Sequence, residues 1–246
     1  MKVKLAIIDT RAPSDVQRRL ELLGFRVITL PPYSKLSPAV ASHTDMLIHR
    51  IGNEYISYAD YCEEASYVFT DISLAVSKTG AKLSFTADEV SSEYPRDCRL
   101  NALRMGDKLF CRVDSASEYL LDAARSAGLE IVNTKQGYPA CTVLKLTEND
   151  AITADRGMAK LLGHHGIRVT LIDDGDISLP PHEYGFIGGA AEAYDGALYF
   201  LGDPKFHKNA DAILSAAKNA GLKVISLSDT PLTDLGGILF AEGCID

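Results

Sequence analysis

One punctuation mark returns five times along this chain. The segments "LELLGFRVITL", "SKTGAKLSFT", "ARSAGLEIV", "LGHHGIRVTLI" and "AKNAGLKVISL" each read as a helix end, a glycine and a β-branched strand. A glycine just past a helix end takes the left-handed cap conformation at little steric cost. The glycines are Gly24, Gly80, Gly128, Gly166 and Gly221, with a mean spacing of about 49 residues. A second series runs in phase with the first. "RIGNEY", "RMGDKL", "LTENDAI", "AYDGAL" and "FAEGCI" carry turn chemistry between apolar runs, centred near Asn53, Asp107, Asn149, Gly196 and Gly243. Each unit therefore reads as strand, turn, strand, helix, glycine, strand.

The helices fit this frame. "SASEYLLDAARSAG" offers serines for an N-cap and sets Leu120, Leu121 and Ala124 on one face. "PKFHKNADAILSAAKNAG" reads as one helix opened by Pro204. Val68, Phe69 and Thr70 could instead form a short strand inside "YADYCEEASYVFTDISLAVSKTG". The last unit stops at Asp246 after its turn, without a helix, and the first begins with a lone strand, "KVKLAIID". That strand is expected to pair with "GGILFAEG" and close the chain into a ring, which leaves no open sheet edge. The expected fold class is α/β: a propeller of five ββαβ pseudo-repeats about a central channel, closed by the N-terminal strand. It forms one domain over residues 1–246. An ordinary α/β sandwich with coincidental spacing is the alternative.

Composition narrows the partners. The formal charge of -8 argues against nucleic acid, whose phosphates are bound by Lys and Arg. No apolar run approaches the length of a membrane span, and no leader peptide is read at the N-terminus. The cysteines at 62, 98, 111, 141 and 244 show no zinc-ligand spacing. A reduced, cytoplasmic setting is expected, with no metal and no cofactor.

Five units of this kind resemble the pentein fold, shared by arginine and agmatine deiminases, dimethylarginine hydrolase and amidinotransferases. The non-enzymatic ribosome anti-association factor has it too. "SHTDMLI", "YPRDCRLNAL", "KQGYPACTVLKLTENDAITAD" and "YGFIGGAAEAYDGALYFLGD" are similar, in this order, to a bacterial family of unknown function with the guanidine-modifying-enzyme fold.

In such a ring, the residues leading into the first strand of each hairpin converge on the channel. They are His43 and Asp45; Arg96, Asp97 and Asn101; Tyr138, Cys141 and Thr142; Tyr184, Gly188 and Gly189; and Asp234, Gly236 and Gly237. The resemblance implies a nucleophilic cysteine, a histidine acid–base and carboxylates that hold a guanidinium. The chain departs from that pattern. Cys244 falls seven residues after Gly237 with no histidine beside it, and "GYPACTV" puts Cys141 where the histidine is expected.

The residues themselves suggest Cys141 paired with His43, and His43 oriented by Asp45, as the catalytic set. Asp97, Arg96, Asn101, Tyr138, Asp234, Gly188 and Gly189 are the expected substrate contacts. The competing readings are a buried, inert Cys141, a purely packing role for the glycine pair, and an Arg96 that only neutralises its acidic neighbours. His164–His165 and His207 read as surface, His182 as surface or as a rim of the channel, and "DDGD" at 173–176 as a turn. The expected function is a hydrolase or transferase acting on a small polar or guanidino-type metabolite in the channel. The alternative is a non-catalytic binding protein on the same fold.

Overall fold

All five of these glycines adopt left-handed backbone angles, with φ between +73° and +88°. A side chain would be strained there, so each glycine fixes where a helix stops and a strand begins. A computed structural model describes residues 2–244 of the chain. Met1, Ile245 and Asp246 lie outside the described residues, and with them the expected chain end at Asp246.

The chain opens with β1 (Lys2–Asp9), α1 (Ser14–Leu22) and β2 (Phe25–Leu30). Next come α2 (Thr44–Leu47), β3 (His49–Ile51), β4 (Glu54–Tyr58), α3 (Ala59–Glu64), α4 (Ser66–Ser77) and β5 (Lys82–Thr86). Then follow β6 (Leu103–Met105), β7 (Lys108–Cys111), α5 (Glu118–Ser126) and β8 (Glu130–Asn133). The fourth stretch holds α6 (Pro139–Thr142), β9 (Val143–Lys145), β10 (Asp150–Thr153), α7 (Arg156–His164), β11 (Arg168–Leu171) and the short β12 (Ile177–Ser178). The last holds β13 (Ala191–Tyr194), β14 (Ala197–Phe200), α8 (Ala210–Asn219), β15 (Lys223–Ser226), β16 (Leu232–Thr233) and β17 (Leu239–Cys244).

These strands form separate three-stranded sheets: β17-β1-β2, β3-β4-β5, β6-β7-β8, β9-β10-β11 and β13-β14-β15. In each, the middle strand pairs antiparallel on one side and parallel on the other. The parallel step needs a crossover, and a helix supplies it. Among the described residues, no sheet closes on itself. The N-terminal strand does reach the C-terminal one, from Lys2 opposite Cys244 to Ile7 opposite Leu239. β1 is buried on both faces, with Leu5 and Ile7 in one apolar cluster and Ala6 and Ile8 in another. Each of its large side chains contributes roughly 1.5–3 kcal/mol by leaving water.

Local chemistry sets the remaining boundaries. Asp195 and Gly196 take φ of +49° and +76°, the geometry a two-residue hairpin needs. Ser117 caps α5 by accepting from the Leu120 amide, and Asp155 caps α7 by accepting from the Met158 amide.

Four expectations need correction. Gly243 is not a turn but lies within β17, because β1 offers that segment a ladder. Residues 68–70 are helical, with Val68 and Phe69 on the buried side of α4. The helix expected from Pro204 starts at Ala210, since a separate 3-10 turn holds Pro204–Phe206. The Gly188–Gly189 pair lies in a 3-10 turn ahead of β13 and not in a strand.

Candidate functional site

The short segments that precede the first strands of the sheets meet at one point. α2 is a single turn, with His43 at its cap and Asp45 in its first turn. α6 is also one turn and starts at Pro139, whose missing N–H costs nothing at the first helical position. Cys141 belongs to that turn, and its Sγ donates to Asp45 Oδ2 at 2.6 Å. Asn101 fixes the turn that carries the thiol. Its Nδ2 donates to Cys141 Sγ at 3.2 Å, while its Oδ1 accepts from the Ala140 amide at 2.9 Å.

Asp234 is held by backbone amides. Oδ2 accepts from Phe186 N–H at 2.8 Å, and Oδ1 accepts from Gly236 N–H at 3.1 Å. The Nδ1 of His43 stands 3.7 Å from Asp234 Oδ1. The expected order, cysteine to histidine to Asp45, is therefore not the order found. The thiol meets Asp45 directly, and the carboxylate nearest the imidazole is Asp234.

The electrostatics follow from burial. His43 is 0% exposed and Asp234 only 1%. Burial, aided by the Arg11 charge, holds the imidazole down at about 3, so it is neutral at pH 7. Burial raises Asp45 to about 6. Burial and then the Asp45 charge raise Asp234 to about 7. Burial, with both carboxylates behind it, pushes the Cys141 thiol well above its ordinary value. The centre is thus a protonated thiol between two carboxylates that resist ionising. A cation placed there would relieve all three groups at once.

Several buried atoms at this point lack a partner: both ring nitrogens of His43, Asp45 Oδ1 and Asp97 Oδ1. Buried polar groups are normally hydrogen-bonded, so these atoms are costly as they stand. A cavity of about 570 Å³ opens beside them. His43, Tyr94, Asp97, Tyr138, Cys141 and Asp234 are among its walls, and no Lys or Arg lines it. Tyr138 Oη donates to Asp97 Oδ2 at 2.6 Å, which sets the carboxylate against the cavity.

A second cavity, of about 360 Å³, touches Asp45 together with Thr44, His49, Lys145 and Glu192. Asp45, bonded to Cys141, stands at the boundary of the two spaces.

The structure brings Cys141, His43, Asp45, Asn101 and Asp234 together, with Asp97 and Tyr138 on the cavity wall. It does not bring Arg96. Arg96 N–H closes a turn on the Glu93 carbonyl, and the residue is exposed, away from the cavity. Gly188 and Gly189 have no room for a side chain. A Cβ on Gly188 would lie 2.2 Å from the Ala140 carbonyl oxygen, and one on Gly189 would lie 1.8 Å from Asp234 Oδ1. Cys244 lies in β17, outside the site. His207, expected at the surface, is buried.

Glu192 escaped the sequence reading. The signal was available as a lone acid within the apolar strand "AEAY". Burial raises it to about 8, against a small opposing effect of Lys145. The sign of the consequence is fixed. A carboxyl raised in the folded state contributes stability below its unfolded pKa, near 4.5, and that contribution is lost as pH rises through 8. The slope is at most roughly 1.4 kcal/mol per pH unit. Glu192→Gln is therefore expected to match the natural protein near pH 4 and to be more stable at pH 9. Urea unfolding at the two pH values tests this, and an equal difference at both would refute it.

Comparison with known proteins places this geometry. A search of curated proteins finds no match. Solved structures do match in fold. An amidinotransferase of the saxitoxin biosynthetic pathway from Microseira wollei superposes with a TM-score of 0.55 and 13% identity, over 92% of this chain and 88% of that one. A DDAH from Pseudomonas aeruginosa, complexed with citrulline, gives 0.56 and 11% identity over 92% and 91%. A C. jejuni agmatine deiminase gives 0.50 and 10% over 91% and 76%. These are proteins of the pentein superfamily, and the α/β fold of this chain is similar to theirs. The model of the "Family of unknown function (DUF6873)" matches residues 7–239, so the chain belongs to that family.

Proposed function

We propose that this chain is a hydrolase or transferase that uses Cys141 as a nucleophile on a small cationic guanidino compound. We further propose that its five three-stranded sheets are the blades of a pentein-type propeller, with Asp45 and Cys141 near the axis. One observation carries the functional reading. A thiol bonded to a carboxylate at 2.6 Å borders a cavity whose ionisable walls include Asp97 and Asp234 and no Lys or Arg. The fold's likeness to an amidinotransferase and an agmatine deiminase supports the same reading.

The chemistry is balanced without an outside reagent other than water or an amine. A guanidinium beside Asp234 and Asp45 lowers the thiol pKa by its charge. The thiol proton passes to Asp45 as sulfur bonds to the guanidinium carbon. Asp45 then returns that proton to the departing nitrogen, the carbon–nitrogen bond breaks, and an amine leaves. Water, or a second amine, gives a proton to Asp45 as it attacks the sulfur-bound carbon; the carbon–sulfur bond breaks, and Asp45 returns that proton to Cys141. His43, kept neutral by burial, is a positioning group on Asp234 and not the acid.

The wall chemistry also selects the tail of the substrate. A carboxylate would meet Asp97 or Asp234 with no Lys or Arg among the lining residues to balance it. A guanidino amine such as agmatine is expected to exceed arginine in kcat/KM by at least ~10-fold. The test is a panel of guanidino amines and guanidino acids, followed by product mass spectrometry and by the intact mass of the protein. A mass increase on Cys141 with release of an amine is the expected result. Binding without any turnover or adduct across the panel would sink the enzymatic reading in favour of a binding protein.

A further inference from the structure

We propose that His43, Asp45 and Cys141 form a binding site for one thiophilic divalent cation of the zinc class. One ligand atom from each residue lies within 4.8 Å of the others. Among the described residues, no other cluster of three or more His, Cys, Asp or Glu side chains meets that condition. The second observation is independent of the clustering. His43 is fully buried, yet neither ring nitrogen has a partner, and Asp45 Oδ1 is also unpaired. A neutral imidazole offers a free lone pair, which is the form a metal takes up.

The donor set decides the metal. Nitrogen, sulfur and one carboxylate oxygen suit the borderline-soft Zn²⁺ at bond lengths of about 2.0–2.3 Å. Mg²⁺ and Ca²⁺ take oxygen ligands and are poorly matched. The Nδ1 of His43 lies 3.7 Å from Asp234 Oδ1, beyond hydrogen-bond reach, so neither ring nitrogen is committed to another partner. The 570 Å³ cavity, lined by His43, Cys141 and Asp234, is the way in. On binding, the S–H bond breaks, a zinc–sulfur bond forms, and the proton leaves to solvent. No electron is transferred.

The site stands on this geometry alone. Its effect on turnover rests on the reading above: the sulfur that holds the metal is the proposed nucleophile, so metal and guanidino substrate exclude each other. Metal would then act as a reversible inhibitor, relieved by a chelator.

The experiment is titration of the chelator-treated, full-length protein with Co²⁺, followed by displacement with Zn²⁺. One equivalent of Co²⁺ is expected to give a thiolate-to-cobalt charge-transfer band, and Zn²⁺ should remove it. Cys141→Ser should abolish the band, and His43→Gln should weaken binding by about 100-fold. Cys244→Ser should bind as the natural protein does. If Cys141→Ser fails to fold, Asp45→Asn is read on the same band. Absence of the band, or a band that survives Cys141→Ser, overturns the proposal. Because the band reports ligation and not turnover, a failed guanidino panel leaves this result standing, and the reverse also holds.

Discussion

Replacing Gly188 with alanine should remove about 3 kcal/mol or more of stability, enough to leave little folded protein. The added Cβ would lie 2.2 Å from the Ala140 carbonyl oxygen and 2.6 Å from those of Cys141 and Val143. All three are backbone atoms, so no side chain can swing aside. The 3-10 turn at Gly188–Ala190 packs directly on α6 and β9, and one of the two must move. Gly128→Ala is the control. Gly128 has φ of +73° but open space around it, so alanine there costs only the left-handed strain of roughly 1–2 kcal/mol. Urea unfolding of both variants gives the comparison. Equal, mild losses would mean that this contact is looser than described. Any Gly188→Ala protein that does fold should also show a displaced Cys141, because the clash falls on the turn that carries it.

Cys141→Ala should reduce turnover of a guanidino substrate by at least ~10³-fold while changing stability by only about 1 kcal/mol. The split matters. Cys141 is a small buried side chain, so its removal leaves a minor void. The lost rate would therefore report chemistry and not folding. Asp45→Asn keeps the shape but cannot accept the thiol proton, and it should lose a comparable factor. With the natural protein, kcat/KM should rise with pH through about 6 as Asp45 ionises. Alkylation of Cys141 by iodoacetamide should be slow at pH 7 without ligand, since burial and two carboxylates hold the thiol protonated. A guanidino amine too large to react should speed that labelling. Full activity in Cys141→Ala would end the case for a thiol nucleophile.

How much of this was legible in the sequence depends on how local its cause is. The left-handed positions were legible, because glycine accepts such angles with little strain, and the same holds for the turn at Asp195–Gly196. Asp45, Asn101 and Cys141 were legible as neighbours, because each lies in a segment that leads into a first strand, and the structure brings these three together. Their pairings were not. Whether Cys141 faces Asp45 or His43 depends on how two single-turn helices are rotated against each other, and no spacing encodes that. Gly243 failed for a related reason. "AEGC" has the look of a turn, but β1 offers it a ladder from the far end of the chain. Arg96 shares with Asp97 and Asn101 the segment that leads into β6, but the turn closed on Glu93 leaves it exposed. Glu192 was passed over because its neighbours are apolar, which is the very reason its carboxyl is perturbed.

The ladder between β1 and β17 also sets an order of events during synthesis. Lys2 through Ile7 emerge from the ribosome long before their antiparallel partners, Leu239–Cys244. Until then β1 is covered by β2 on one side only, and its other edge is an open template for any extended chain nearby. A nascent chain of this design is therefore exposed to mispairing from the synthesis of β1 until that of β17. Loss of the β17 strand would make that transient hazard permanent, and truncation before Leu239 should yield aggregates instead of a shorter soluble protein.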